Sequence, residues 1–169
     1  WLHLSDWHQK GKDFNRQVVR DALIKDIERR IVISPDLAEI DFIVFSGDVA
    51  YSGKSEEYAA AAGQFFGPLL KATGVSPERL FIVPGNHDLD RTTFELLPAA
   101  LSRPLGSDSE VQRWLINEEE RSLLLRPFRA FTSFVANFTG QEQSHYANIR
   151  KWQIGGKSIA LLGLNSAWM

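Results

Sequence analysis

The chain has 169 residues, 44% of them hydrophobic, and a formal charge of −2. That is the size of one domain, able to bury roughly 68–70% of the surface its unfolded chain exposes, so no disulfide or structural metal is needed to hold a core. The absence of cysteine excludes thiolate zinc sites and cysteine nucleophiles and suits a reducing, cytoplasmic setting, while the weak net charge gives no global pull toward nucleic acid or an anionic membrane.

In chain order, Trp1 to Ser5 reads as a short strand ending at Asp6. Asn15 to Ile33 carries Val19, Leu23, Ile27 and Ile31 at spacing four, one face of an amphipathic helix, with Arg16, Arg20, Lys25, Glu28 and Arg29 on a solvated outer face. Phe42 to Phe45 is apolar without alternation, as expected of a parallel strand covered on both faces, and it ends at Ser46-Gly47-Asp48. Ser55 reads as the N-cap of a helix that runs through Ala59 to Leu70 and stops near Lys71 and Gly74. Leu80 to Val83 is a third strand, which makes the order βαβαβ.

Residues 91–120, broken by Pro98, Pro104 and Gly106-Ser107-Asp108-Ser109, read as an insertion or lid. From Glu118 to Phe138 a helix carries Leu124, Phe128, Phe131, Val135 and Phe138 as a core stripe, and Pro127 is expected to kink or divide it. His145 to Ile154 and Lys157 to Leu164, joined by Gly155-Gly156, read as a hairpin. No apolar run reaches the ~20 residues of a membrane span.

Three polar clusters each follow the carboxyl end of a predicted strand: Asp6-Trp7-His8, Gly47-Asp48 and Gly85-Asn86-His87-Asp88. That edge is where ligands bind in open α/β sheets. In extended backbone Asp6 and His8, two apart, project to one side and offer a carboxylate and an imidazole to one cation. Asp48 has two oxygens with which to bridge two cations, and Asn86 offers a neutral amide oxygen. Gly47 and Gly85 let the backbone turn sharply beside them. Oxygen and nitrogen donors without sulfur suit Mn, Fe, Zn or a similar divalent ion.

These blocks resemble the calcineurin-like metallophosphoesterases, whose signatures read D-x-H, G-D and G-N-H-[DE]; all three occur here in order. The resemblance implies a layered α/β sheet sandwich flanked by helices, of which the N-terminal βαβαβ part and a hairpin are represented. It implies a hydrolase of phosphate esters with two divalent metal ions: Asp6 and His8 on the first, Asp48 bridging, Asn86 on the second. His87 would meet the phosphate and the leaving oxygen without ligating metal, and Asp88, Gly47 and Gly85 would support the loops.

The later family blocks, G-H and G-H-x-H, have no counterpart here, since the chain's histidines are His3, His8, His87 and His145. His3 reads as a hydrogen-bonded strand residue, and His145 lacks the preceding glycine. Residues 1–169 are therefore expected to form one truncated domain. Because the stretch from Gly47 reads GDVAYSG, without the arginine of the phosphoprotein phosphatases, the favoured substrate is a phosphodiester in a nucleotide or nucleic acid, with Tyr51 as packing or a site wall. The alternative is a catalytically inactive scaffold that kept the fold.

Overall fold

Short apolar runs that end in glycine and polar residues become short parallel strands. The computed structural model describes residues 1–11, 14–96, 107–142 and 146–167. Strands β1 (Leu2–Leu4), β2 (Ile43–Ser46) and β3 (Leu80–Val83) form a parallel sheet in the order β1-β2-β3. Leu2 pairs with Ile43, and Ile43 with Leu80, so all three strands end at one edge.

Alternation along the strands separates two faces. Ile43, Phe45, Leu80 and Ile82 point into the main core, where they meet Tyr58, Phe65, Phe66 and Leu69 from one crossover and Phe131, Phe134 and Val135 from a later helix. Phe81 and Val83 point the other way, against the hairpin of β4 (Ala147–Ile154) and β5 (Lys157–Leu164). Gly163 makes that packing possible: a Cβ there would lie 2.2 Å from Val83 Cγ1. The hairpin thus covers the second sheet face and turns Ile149, Leu162 and Leu164 outward, each more than half exposed.

The first crossover is helix α1 (Phe14–Glu28) followed by a short α2 (Arg30–Ile33). Its apolar face is buried only in part. Leu23, Ile24 and Ile27 pack on the core, whereas Val18, Val19 and Ile31 are exposed. Nor is its charged face wholly solvated, because the Arg16 guanidinium turns back to donate to the Trp7 and His8 carbonyls.

The second crossover runs through α3 (Ser55–Ala61), a π-helical turn (Ala62–Phe66) and α4 (Gly67–Thr73), with Gly74 as a left-handed stop at φ 76°. Ser55 is its first residue, and Lys54 occupies the N-cap. The Glu57 carboxylate performs the capping, accepting the N–H groups of Ser52 and Lys54 at 2.9 and 3.1 Å.

Residues 91–120 contain a 3₁₀ segment (Arg91–Leu96) and helix α5 (Asp108–Ile116); residues 97–106, with Pro98, Pro104 and Gly106, lie outside the described residues. Pro127 divides the next helix as expected, into α6 (Glu118–Leu125) and α7 (Arg129–Thr139), with a 3₁₀ turn between. No helix of the described residues is long and apolar enough to cross a membrane.

Replacing Gly163 with valine should cost about 1–3 kcal/mol through overpacking against Val83 and Phe81, read as a lowered urea midpoint. An unchanged midpoint would mean that the hairpin does not seat on β3.

Candidate metal centre

Past the ends of β1 and β2 the two chains keep hydrogen bonding, but no longer as strands. The Asp6 N–H donates to the Gly47 carbonyl at 3.0 Å, His8 N–H to Asp48 at 2.8 Å and Gln9 N–H to Val49 at 2.7 Å. Asp6, His8 and Asp48 all take positive φ, at 59°, 50° and 59°. Side chains with a Cβ pay for that region, and it persists where the surroundings over-determine it. Extended backbone was expected to put Asp6 and His8 on one side; left-handed turns at both residues do so instead. His8 Nε2 lies 3.6 Å from Asp6 Oδ1 and 3.9 Å from Asp48 Oδ2.

The loop after β3 joins through two carboxylates. Asp48 Oδ1 accepts the His87 N–H at 2.8 Å. This approach requires glycine at position 85, where a Cβ would sit 2.2 Å from Asp48 Oδ1. Asp88, fully buried, is the second tie. Its Oδ1 accepts the Ala50 N–H (2.9 Å) and the Tyr58 hydroxyl (3.0 Å), and its Oδ2 accepts the N–H groups of Gly85 (2.9 Å) and Val49 (3.2 Å). Burial pushes the Asp88 carboxyl above its ordinary range, while these four donors pull against it. Burial, and then the Asp88 carboxylate, also raise the Tyr58 phenol above its ordinary value, so it stays a donor.

Tyr58 is held in turn by the core stripe of α7: its ring stacks on Phe134 at 5.2 Å and meets Phe131 edge-on at 6.1 Å. The far end of the loop is fixed too. Leu89 packs with Leu125 and Phe128, and the Asp90 N–H donates to the Pro127 carbonyl at the break between α6 and α7.

His8, Asp48 and His87 each present a ligand atom, all within 4.8 Å of one another, with Asp6 beside His8. The His8 and His87 rings lie 4.6 Å apart and nearly perpendicular. His87 Nδ1 lies 2.8 Å from the Tyr51 carbonyl; a carbonyl only accepts, so Nδ1 carries the proton and Nε2 is the end free for chemistry. Asn86 is exposed on the same loop.

This donor set fits divalent cations. Two carboxylate oxygens converge on one imidazole nitrogen, an arrangement that a cation relieves electrostatically. The buried Nδ1 of His8 has no hydrogen-bond partner among the described residues, so the ring's polar environment lies at Nε2, between the carboxylates. His87 stands inside the cluster rather than apart from it. His3 behaves as expected, with Nε2 2.6 Å from Ser46 Oγ, and His145 lies outside the described residues.

Sequence reasoning missed Tyr58 and Arg16. Tyr58 in SEEYAAAAGQFF carries only the signal of a core aromatic, and Arg16 that of an outer-face charge. Both act on the loops through side-chain hydrogen bonds to residues distant in sequence, which spacing does not encode.

A family model described as calcineurin-like phosphoesterase matches residues 2–153. An uncharacterized metallophosphoesterase-like protein, YydB of Bacillus subtilis (strain 168), is 26% identical over 152 residues, covering 86% of this chain and 30% of its own length. The glycerophosphodiester phosphodiesterase GpdQ of Enterobacter lignolyticus (strain SCF1) is 33% identical over 84 residues, 50% of this chain and 27% of its own length. The chain therefore spans under a third of the length of either of these relatives.

Asp88→Ala would leave the buried N–H groups of Val49 and Ala50, and the half-buried one of Gly85, without an acceptor, at roughly 1–3 kcal/mol for each buried group, whereas Tyr58→Phe removes one hydrogen bond worth about 1 kcal/mol. Urea unfolding should show Asp88→Ala to be the more damaging change by at least about 2 kcal/mol. Equal losses would contradict a carboxylate that ties the loops together.

Proposed function

The chain belongs to the calcineurin-like phosphoesterases, whose family model takes in residues 2–153, and on that premise we propose that it hydrolyses phosphodiesters of the nucleotide or nucleic-acid type at a centre of two divalent cations. The observation that carries this reading is the convergence of the Asp6 and Asp48 carboxylates within 4 Å of His8 Nε2. Asp6 and His8 would hold one cation, Asp48 would bridge, and Asn86 would serve the second. Mn, Fe and Zn all suit such donors.

When bound, such ions polarise the phosphoryl oxygens, activate water and balance the charge that builds as the P–O bond breaks. The rest of the work falls to the chain. Asp48 holds two elements at once, one oxygen on the His87 N–H and the other facing His8, so it sets the distance between the ligands and His87. With Nδ1–H anchored on the Tyr51 carbonyl, His87 presents Nε2 to the substrate; in the imidazolium form, protonated at both nitrogens, it would give the Nε2 proton to the departing alkoxide.

A diester is favoured over a phosphoprotein. GDVAYSG offers no arginine beside Asp48, and one relative is named as a phosphodiesterase. The second reading, an inactive scaffold, holds if the full-length protein adds no further histidine ligands, because Asp48 and Asn86 alone would leave the second cation largely to water. Metal content separates the two.

In the full-length protein, Asp48→Asn should lower both bound metal, measured by elemental analysis, and turnover of bis-nitrophenyl phosphate. His87→Ala should retain the metal and lower turnover by about 100- to 10,000-fold. Equal metal loss in the two variants would reassign His87 as a ligand, and absence of metal from the unsubstituted protein would favour the scaffold.

A further inference from the structure

A cavity of about 200 Å³ adjoins the metal centre, lined by Tyr51, Lys54, Asn86, His87, Asp90 and Arg91 among others. None of Asp6, His8 and Asp48 lines it. The cavity therefore opens from the His87 and Asn86 side of the donor cluster, the side on which the departing alkoxide leaves if His87 protonates it. On that reading, what fills this space would belong to the leaving group.

The charges of the cavity do not cancel. Lys54 Nζ is committed to Asp90 Oδ1 at 2.6 Å and Thr92 Oγ1 at 2.7 Å. Burial pushes the Asp90 carboxyl up, but the bonds from Lys54 and Thr92 outweigh it and hold the group below its ordinary range, so Asp90 stays ionised and satisfied by Lys54. Arg91 is exposed, and no described acidic side chain pairs with it. It leaves the cavity one positive charge to spare. Lys10 adds a second cation at the rim, its Nζ 4.3 Å from the centroid of the Tyr51 ring.

Size narrows the ligand further. Sites that enclose whole drug-sized molecules usually measure ~300–1,000 Å³, so about 200 Å³ suits a phosphate with part of its sugar. A guanidinium is well matched to phosphate, which it binds through two parallel N–H donors.

We propose that this cavity is a subsite for a second phosphate, carried on the leaving-group side of the scissile diester and held by Arg91. The inference rests on the phosphodiesterase reading above. The second phosphate has two sources of the same chemistry: the terminal monoester of a phosphorylated nucleotide, or the next backbone phosphate of an oligonucleotide.

The test uses the full-length protein loaded with Mn²⁺ and five substrates. These are bis-nitrophenyl phosphate, dithymidine monophosphate, the same dinucleotide with a terminal phosphate placed at the 5′ or the 3′ end, and trithymidine diphosphate. The expected result is a kcat/KM for one of the terminally phosphorylated dinucleotides about tenfold above that of the plain one, the gain of one charge-assisted contact. Arg91→Gln should bring that ratio to near one through KM. Lys10→Gln, which alters the rim and not the cavity, should leave the ratio within about twofold of the original.

A gain shared by the trinucleotide identifies the backbone phosphate as the source, and a gain confined to the terminal monoester identifies the phosphorylated nucleotide. Equal rates for plain and phosphorylated dinucleotides, or equal effects of Arg91→Gln and Lys10→Gln, would overturn the subsite while leaving the phosphodiesterase reading intact. Failure to hydrolyse even bis-nitrophenyl phosphate would overturn both.

Discussion

One carboxylate, shut away from water, holds this site together. Asp88 reaches back under the loop that follows β2 and takes up the N–H groups of Val49 and Ala50, while closing its own loop on Gly85 and receiving the Tyr58 hydroxyl. Backbone groups in these turns have no strand or helix to satisfy them, and a buried N–H without an acceptor is costly. Asp88 satisfies three at once. The loops after β2 and β3 consequently form one body, and the hydrogen bonds from Asp6, His8 and Gln9 to residues 47–49 join the loop after β1 to it.

That construction accounts for the backbone at the site. Positive φ at Asp6, His8 and Asp48 is affordable only because these cross-loop bonds leave the chain no other course. The turns aim two carboxylates and two imidazoles into one volume. Support comes from far back in the fold: the aromatic face of α7 fixes the Tyr58 ring, and Tyr58 fixes Asp88. Arg16 does a related task from α1, gripping the carbonyls of Trp7 and His8 from behind. The donors facing the ligand thus rest on a second tier of residues that never touch it, as preorganised sites require.

Much of this is legible in the amino-acid sequence. The strand Leu80–Val83 reads directly from LFIV between polar flanks, and Pro127 divides its helix because a proline cannot continue the hydrogen-bond ladder. The convergence of Asp6, His8 and Asp48 follows from parallel strands ending at one edge. What spacing could not convey was how they converge, since D-x-H suggests extended chain and the molecule uses two left-handed residues. Ser55 is the first helical residue and not the cap, and the capping carboxylate comes from Glu57, three residues beyond the N-cap Lys54. The exposed Val18, Val19 and Ile31 show that periodicity marks an apolar stripe without saying how much of it a neighbour will cover.

The central claim is that the three strand-end loops are fastened into a shape that receives divalent cations between His8 and Asp48. Anomalous diffraction from crystals of the full-length protein grown with Mn²⁺ tests it most directly, because it locates the ion without recourse to activity. The account predicts a peak in contact with the His8 imidazole and the Asp48 carboxylate, with the Asp88 hydrogen bonds unchanged. A peak bound by neither residue, or none at the strand ends under saturating metal, would contradict it.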